Sequence, residues 1–395
     1  MFEQHISGFQ FLTLPEEIKK AMAYCIKGQT PDEIIASLNK EKKLALFGAG
    51  HLGLIAVNIL KSNGLPIDYF VDNDHKKIGQ SIEGIPVISA QELVKIAGNT
   101  EVIIASLSYF KEIFIQLYEL GILHTVKGAL LIWESNIFNP CKTLGLGQVS
   151  NPSKIIFDNE ASIHRLFSIL ADEKSKKVLY GLLNYHLTQE PEYIFAIQDD
   201  LNKQYFDREL LDFSANECFV DGGSLDGKTT EEFIRIVNGQ FRKALLFEPN
   251  PECVNLINNN YSLRKYHDRI NVIQQGLYHI ETSIGFDRHG DLMAGSINDS
   301  SENTIETTRL DNYLNENISF IKLDIEGAEL PALKGGEEVI RQLKPKLAIA
   351  VYHKPCDLWE IPLFVHDLCP EYHLYFRHYM NITTDTTLYA KLSEK

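Results

Sequence analysis

The sequence has no C-x-x-C pair: its six cysteines, Cys25, Cys141, Cys218, Cys253, Cys356 and Cys369, are scattered singly along 395 residues. That spacing gives neither a disulfide framework nor a zinc knuckle. It suits a reducing compartment, so a cytoplasmic protein is expected. No stretch approaches the ~18 uninterrupted apolar residues of a membrane span, and residues 1–15 lack a basic segment followed by an apolar core. Neither a transmembrane helix nor a signal peptide is expected. Basic residues are in deficit, 38 against 53 acidic, and the formal charge of −15 argues against a broad surface for nucleic acid or anionic membrane. Low-complexity tracts and repeats of solenoid length are also missing.

What is present is the composition of a folded protein, 44% hydrophobic and 10% aromatic, over a length that calls for two or three domains. Residues 1–40 read as a helical arm, with Pro15-Glu16-Glu17 and Pro31-Asp32-Glu33 as helix entries. Residues 41–150 alternate short β-rich runs with helical periods, the pattern of parallel βαβ units, with strands expected at 44–47, 67–71, 86–88 and 102–106. Residues 151–215 show apolar steps of three and four and read as a helical connector. From 216 to 395 a second βα alternation places strands near 219–221, 244–248, 271–275, 319–324, 346–352, 373–379 and 386–391. The expected fold class is therefore α/β, with two Rossmann-like domains joined by helices.

Gly48-Ala49-Gly50-His51-Leu52-Gly53 follows a strand and opens a helix, which is the context a G-x-G-x-x-G turn needs in order to cradle a pyrophosphate. Asp72 ends the next strand, where an acid reaches a ribose hydroxyl. No Tyr-x-x-x-Lys pair follows between residues 41 and 140, so no hydride-transfer site is visible. Tyr69-Phe70-Val71-Asp72-Asn73-Asp74, with Lys77-Ile78-Gly79 and Gly84-Ile85-Pro86-Val87-Ile88, resembles the nucleotide-sugar-binding domain found ahead of sugar N-acyltransferases. The resemblance implies a sugar nucleotide or glycan ligand at Gly48, Gly50, His51, Gly53 and Asp72.

Phe219-Val220-Asp221-Gly222-Gly223-Ser224-Leu225-Asp226-Gly227 is a different turn, because an acid precedes the glycines. A carboxylate there repels a pyrophosphate but can hold the ammonium of an amino-acid moiety, which favours S-adenosylmethionine over NAD. Thr229 and Glu232 read as a capping box for the following helix. Leu246-Phe247-Glu248-Pro249-Asn250-Pro251 puts Glu248 at a strand end, in reach of both ribose hydroxyls. Asp324 and Glu326, in Ile321-Lys322-Leu323-Asp324-Ile325-Glu326-Gly327, stand at the same sheet edge, and Tyr352-His353-Lys354-Pro355 delivers His353 there. Residues 276–317 form an insertion with an expected hairpin and a mobile rim at 295–298, able to cover the cofactor or select the acceptor.

These segments, together with Leu358-Trp359-Glu360-Ile361-Pro362, Arg377-His378-Tyr379 and Thr387-Leu388-Tyr389-Ala390, resemble the FkbM family of S-adenosylmethionine-dependent methyltransferases over roughly residues 200–395. The resemblance implies a seven-stranded class I methyltransferase sheet with an antiparallel last strand, and O-methylation of a sugar, nucleotide-sugar or glycan hydroxyl, as in polysaccharide biosynthesis. Carried onto this sequence, it implies cofactor contacts at Asp221, Gly222, Gly223, Asp226, Glu248, Pro249, Gly276 and Asp324. His353 is the first candidate base, followed by Asp324 and Glu326. Arg377 and His378 are structural or substrate-orienting. Two acids without a third ligand are weak grounds for Mg²⁺, so a metal-free site is expected. An NAD-dependent sugar epimerase or dehydrogenase, and a non-catalytic nucleotide-sugar-binding module, are the alternatives.

Overall fold

The computed structural model describes residues 15–26, 31–106, 109–129, 152–188, 190, 192–288, 295–298, 300–381 and 383–393. The helical reading of residues 1–14 and the tip of the insertion hairpin, 289–294, lie outside the described residues.

Two helices, Glu16–Ile26 and Pro31–Ser37, precede a six-stranded sheet. Its strands are β1 (Lys43–Phe47), β2 (Tyr69–Val71), β3 (Ser81–Ile82), β4 (Ile85–Ile88), β5 (Thr100–Ile104) and β6 (Val126–Ala129), in the spatial order β3-β4-β2-β1-β5-β6. All pair in parallel except β3, which folds back on β4. Strands buried on both faces need continuous apolar runs, and all five residues of β5 are buried. After β1 the chain first builds β2 and β4 to one side and then returns to β5 on the other. The ends of β1 and β5 thus flank the crevice where open α/β sheets take ligands.

Helices Pro152–Asp158, Glu160–Ile169, Glu173–Thr188 and Glu192–Phe195 follow. Helix Glu173–Thr188 buries Val178, Leu179, Leu182 and Leu183, the face that three- and four-residue steps demand.

The main sheet contains β7 (Cys218–Gly222), β8 (Lys243–Phe247), β9 (Ile270–Ile273), β14 (Phe320–Leu323), β15 (Lys346–Ala350), β16 (Tyr372–His378) and β17 (Thr386–Leu392). Its order is β16-β17-β15-β14-β7-β8-β9, and β17 runs antiparallel to both neighbours. This is the seven-stranded arrangement that the resemblance implies. Between β9 and β14 the insertion adds β10 (Gly276–Leu277), β11 (Ser283–Arg288), β12 (Gly295–Ile297) and β13 (Thr304–Thr308). β11 pairs antiparallel with β13, as expected of the hairpin, but also with β12. The expected mobile rim is therefore a paired strand over Gly295–Ile297.

Helix Glu173–Thr188 lies on the outer strand of this sheet. Ser175 Oγ accepts from the Phe376 amide at 2.9 Å, and Arg377 Nη2 reaches Asp172 Oδ2 at 2.8 Å. His378 Nδ1 meets Thr386 Oγ1 at 2.8 Å inside the sheet. Arg377 and His378 are structural. One apolar cluster runs without a break from Ile18 and Phe47 through Leu179 and Phe195 to Val220, Ile349 and Leu374.

Candidate active site

β7 and β14 lie side by side with Asp221 opposite Lys322 in register. A lysine in the middle of a buried strand must find an acid, because an unpaired interior charge is too costly. Lys322 Nζ lies 3.1 Å from Asp221 Oδ1 and also donates to the carbonyls of Gly222 and Gly223, at 3.1 and 2.9 Å. Asp221 Oδ2 accepts from Thr230 Oγ1 at 2.7 Å. Asp221 is fully buried and satisfied, so it braces the glycine turn instead of facing a cofactor ammonium. The capping box is also corrected. The helix is Lys228–Ile236 with Gly227 as its N-cap, no side chain caps it, and Thr230 serves Asp221.

Beyond the turn lies a cavity of about 130 Å³. Its floor is Gly223, Leu225, Glu248, Pro249, Asp324 and Glu326, and its roof is Phe286, Gly295, Ile297, Ile305 and Thr307 of the insertion, with Gly276 and Leu277 at the side. Gly222 and Asp226 do not line it. Gly222 packs on Leu323, and Asp226 accepts from the Lys228 amide at 3.1 Å. Glu248 sits just past the end of β8. Its two oxygens accept from the amides of Leu225 and Asn250, both at 2.9 Å, which fixes the carboxylate at the cavity wall. Burial pushes its carboxyl above the usual range, against those two amides.

Asp324, Glu326 and His353 converge, although β14 ends at Leu323 and Glu326 takes a left-handed φ of 55°. Such a backbone is uncommon outside glycine and concentrates at functional sites. Tyr205, itself at φ 64°, donates to Asp324 Oδ2 at 2.7 Å, and Tyr352 donates to Oδ1 at 3.1 Å. Burial alone would raise the Asp324 carboxyl, but His353, Lys322 and the two phenols outweigh it and hold it below its ordinary value. Glu326 is pushed up to about 7, chiefly by burial.

His353 Nε2 lies 3.4 Å from Asp324 Oδ1 and 3.7 Å from Glu326 Oε2, and Nδ1 lies 3.0 Å from Glu329 Oε1. Burial opposes its charge, but Glu329, Asp324 and Glu326 together raise it to about 10. With carboxylates at both ring nitrogens, His353 is not a free base, and that expectation is overturned. Two further ligands stand beside Asp324, although Glu326 is not one of them. Ligand atoms of Asp324, Glu329 and His353 all lie within 4.8 Å of one another.

Sequence reasoning missed Tyr205, Glu329 and the bracing role of Lys322. The apolar setting of Lys322 was the available signal. Tyr205 belongs to Gln204-Tyr205-Phe206-Asp207, which leads into the resembling region, but nothing local ties it to Asp324, more than a hundred residues later.

At the N-terminal sheet a second cavity of about 690 Å³ is lined by Phe47, Gly48, Gly50, His51, Asp72 and Ala105, among others. Asp72 lines it, but its Oδ2 accepts from the Ala49 amide at 2.9 Å and lies 3.0 Å from Lys77 Nζ. The acid therefore also braces the turn. Gly53 lies below the cavity, where a Cβ would come within 2.2 Å of the Gly48 carbonyl oxygen, whereas a Cβ on Gly50 meets nothing within 4 Å. Gly53→Ala is expected to lose about 1–3 kcal/mol by overpacking, and Gly50→Ala to melt like wild type in the same thermal scan. Equal melting temperatures for the two variants would contradict this packing.

Residues 221–381 match the family model described as methyltransferase FkbM domain, and residues 40–125 match one described as C2185-like, N-terminal. No curated protein matches the chain. Among solved structures, methyltransferase FkbM from Methylobacillus flagellatus KT is 26% identical, over 95% of this chain and 98% of that one, with a TM-score of 0.57. Precorrin-6y C5,15-methyltransferase from Geobacter metallireducens GS-15 is 10% identical, over 45% of this chain and 80% of that one, with a TM-score of 0.29. UDP-D-quinovosamine 4-dehydrogenase from Vibrio fischeri is 27% identical, over 20% of this chain and 72% of that one, with a TM-score of 0.19. Only the first overlaps closely enough to inform the fold of the whole chain.

Proposed function

We propose that the protein, whose residues 221–381 match a family model described as methyltransferase FkbM domain, transfers a methyl group from S-adenosylmethionine to a hydroxyl of a sugar, nucleotide sugar or glycan. The observation that carries this reading is Glu248, fixed by two amides at the wall of a cavity that also exposes Asp324 and Glu326. The site suits the cofactor. Glu248 offers a carboxylate to a ribose diol, Leu277, Phe286 and Ala328 offer apolar contact to a base, and Asp324 and Glu326 are acids for its cationic end. A cavity of about 130 Å³ is smaller than the ~300–1,000 Å³ of ordinary ligand sites, so the insertion strands move outward on binding.

Bound there, the cofactor supplies an electrophilic methyl group. The protein's larger task is alignment, since a well-oriented nucleophile in van der Waals reach recovers much of the barrier. Glu326, which lines the cavity, would accept the hydroxyl proton of the acceptor as it is methylated. Tyr205 and Tyr352 hold Asp324 in place beside it.

Calorimetric titration of the full chain with S-adenosylhomocysteine, NAD and a UDP-sugar in parallel tests the reading. Binding of S-adenosylhomocysteine is expected. Binding of NAD with no S-adenosylhomocysteine signal overturns the proposal. The cavity at the N-terminal sheet supports a separate proposal, a nucleotide-type ligand laid against Gly50 and the first turn of helix His51–Ser62, whose N-cap has no side-chain partner. The UDP-sugar arm reads this site, and Gly50→Ala is expected to weaken that binding without touching the S-adenosylhomocysteine signal.

A further inference from the structure

We infer that Asp324, Glu329 and His353 form a binding site for a divalent transition-metal ion of the Mn²⁺ class, at the end of the cavity lined by Asp324 and Glu326. Three observations carry it. First, one ligand atom from each of these residues lies within 4.8 Å of the other two. Bonds of about 2.0–2.2 Å span up to ~4.4 Å between ligands on opposite sides of an ion, so side-chain shifts of a few tenths of an ångström close the cluster around a cation.

Second, the cluster holds polar atoms that the protein does not satisfy. Glu329 is fully buried; its Oε1 accepts from the Ile325 amide at 2.8 Å, while its Oε2 has no hydrogen-bond partner. His353 is nine-tenths buried, and its Nδ1 makes no hydrogen bond, although Glu329 stands beside it. A buried carboxylate oxygen without a partner costs free energy, and a cation bound there removes that cost.

Third, the surroundings orient the donors as metal sites require. Asp324 is held by Tyr205 and Tyr352, and Glu329 by the Ile325 amide. Glu326 Oε2, 3.7 Å from His353 Nε2, brings another carboxylate from the cavity side. One imidazole among carboxylates favours Mn²⁺ or its transition-metal neighbours over the all-oxygen sites of Mg²⁺ and Ca²⁺.

This inference rests on the methyltransferase reading for its purpose but not for its test. Beside Glu326, a divalent cation lowers the pKa of an acceptor hydroxyl and so prepares it for methylation.

Full-length protein stripped with EDTA and dialysed is titrated with MnCl2 by calorimetry and by the loss of free-ion electron paramagnetic resonance signal. One ion per chain is expected. Glu329→Gln and His353→Gln should each weaken it roughly tenfold or more, while both variants still bind S-adenosylhomocysteine, which also serves as the fold control. A thermal melt of each variant by circular dichroism is the second fold control. Absence of stoichiometric Mn²⁺ binding overturns the site, as does binding that survives the substitutions. Equal affinity for Mg²⁺ and Ca²⁺ overturns the role of His353. Mn²⁺ binding without S-adenosylhomocysteine binding leaves the metal site standing and sinks the methyltransferase reading instead.

Discussion

Glu248→Ala protein loses S-adenosylhomocysteine binding by about 100-fold or more. In the proposed site the carboxylate accepts two hydrogen bonds from a ribose, and hydrogen bonds to a charged group contribute about 1.5–3 kcal/mol each. A loss of ~3 kcal/mol is two decades in affinity. The substitution also frees the amides of Leu225 and Asn250, which lose their acceptors. Some binding loss would therefore come from a looser wall. Glu248→Gln separates the two effects: it keeps one carbonyl acceptor and the side-chain shape, so it retains much of the thermal stability and still binds weakly. If Glu248→Ala binds S-adenosylhomocysteine within threefold of wild type, the cofactor lies elsewhere.

Lys322→Met has the second largest effect, and it falls on stability. The change removes the charged partner of a fully buried Asp221 and takes the Lys322 donor from the Gly223 carbonyl, while the Gly222 carbonyl keeps the Asp324 amide. Removing one member of a buried ion pair costs about 3–5 kcal/mol, because the other charge stays behind. For the C-terminal half this lowers the melting temperature by on the order of 10 °C. Adding Asp221→Asn to Lys322→Met recovers part of the loss, since the stranded charge disappears. A single variant that melts with wild type would show that the pair is not what holds the turn. Because Lys322 also stands 5.3 Å from the ring of Tyr205, whose hydroxyl holds Asp324, the substitution disturbs the acid cluster as well.

Much of this architecture was readable because buried parallel strands are nearly continuous apolar runs, and the residues that end them are conspicuous. Glu248 and Asp324 stand out for that reason, and both line the cavity. Strands that were missed lack the signal: β3 and β10 are two residues each, and β6 is the four-residue Val-Lys-Gly-Ala. Side-chain partners were harder than positions. Asp221 was correctly placed at a strand end, yet its role depends on Lys322, a hundred residues away and opposite it in the sheet. His353 reached the predicted edge, but three carboxylates gathered there from a turn and a helix, and no local pattern counts them. The choice of Thr230 over Thr229 followed from the same buried acid: its hydroxyl was drawn to Asp221.

The unbroken apolar cluster changes what the heritable unit of this protein is. The methyltransferase sheet alone, cut at residue 216, would bare Leu374 and Phe376 where helix Glu173–Thr188 now covers them, and would strand Arg377 without Asp172. It would also lose Tyr205 from Asp324. A segment that looks like a linker thus covers the outer strand of the sheet and reaches the acid cluster at its edge. Truncations that respect only the sheet cut through the apolar cluster.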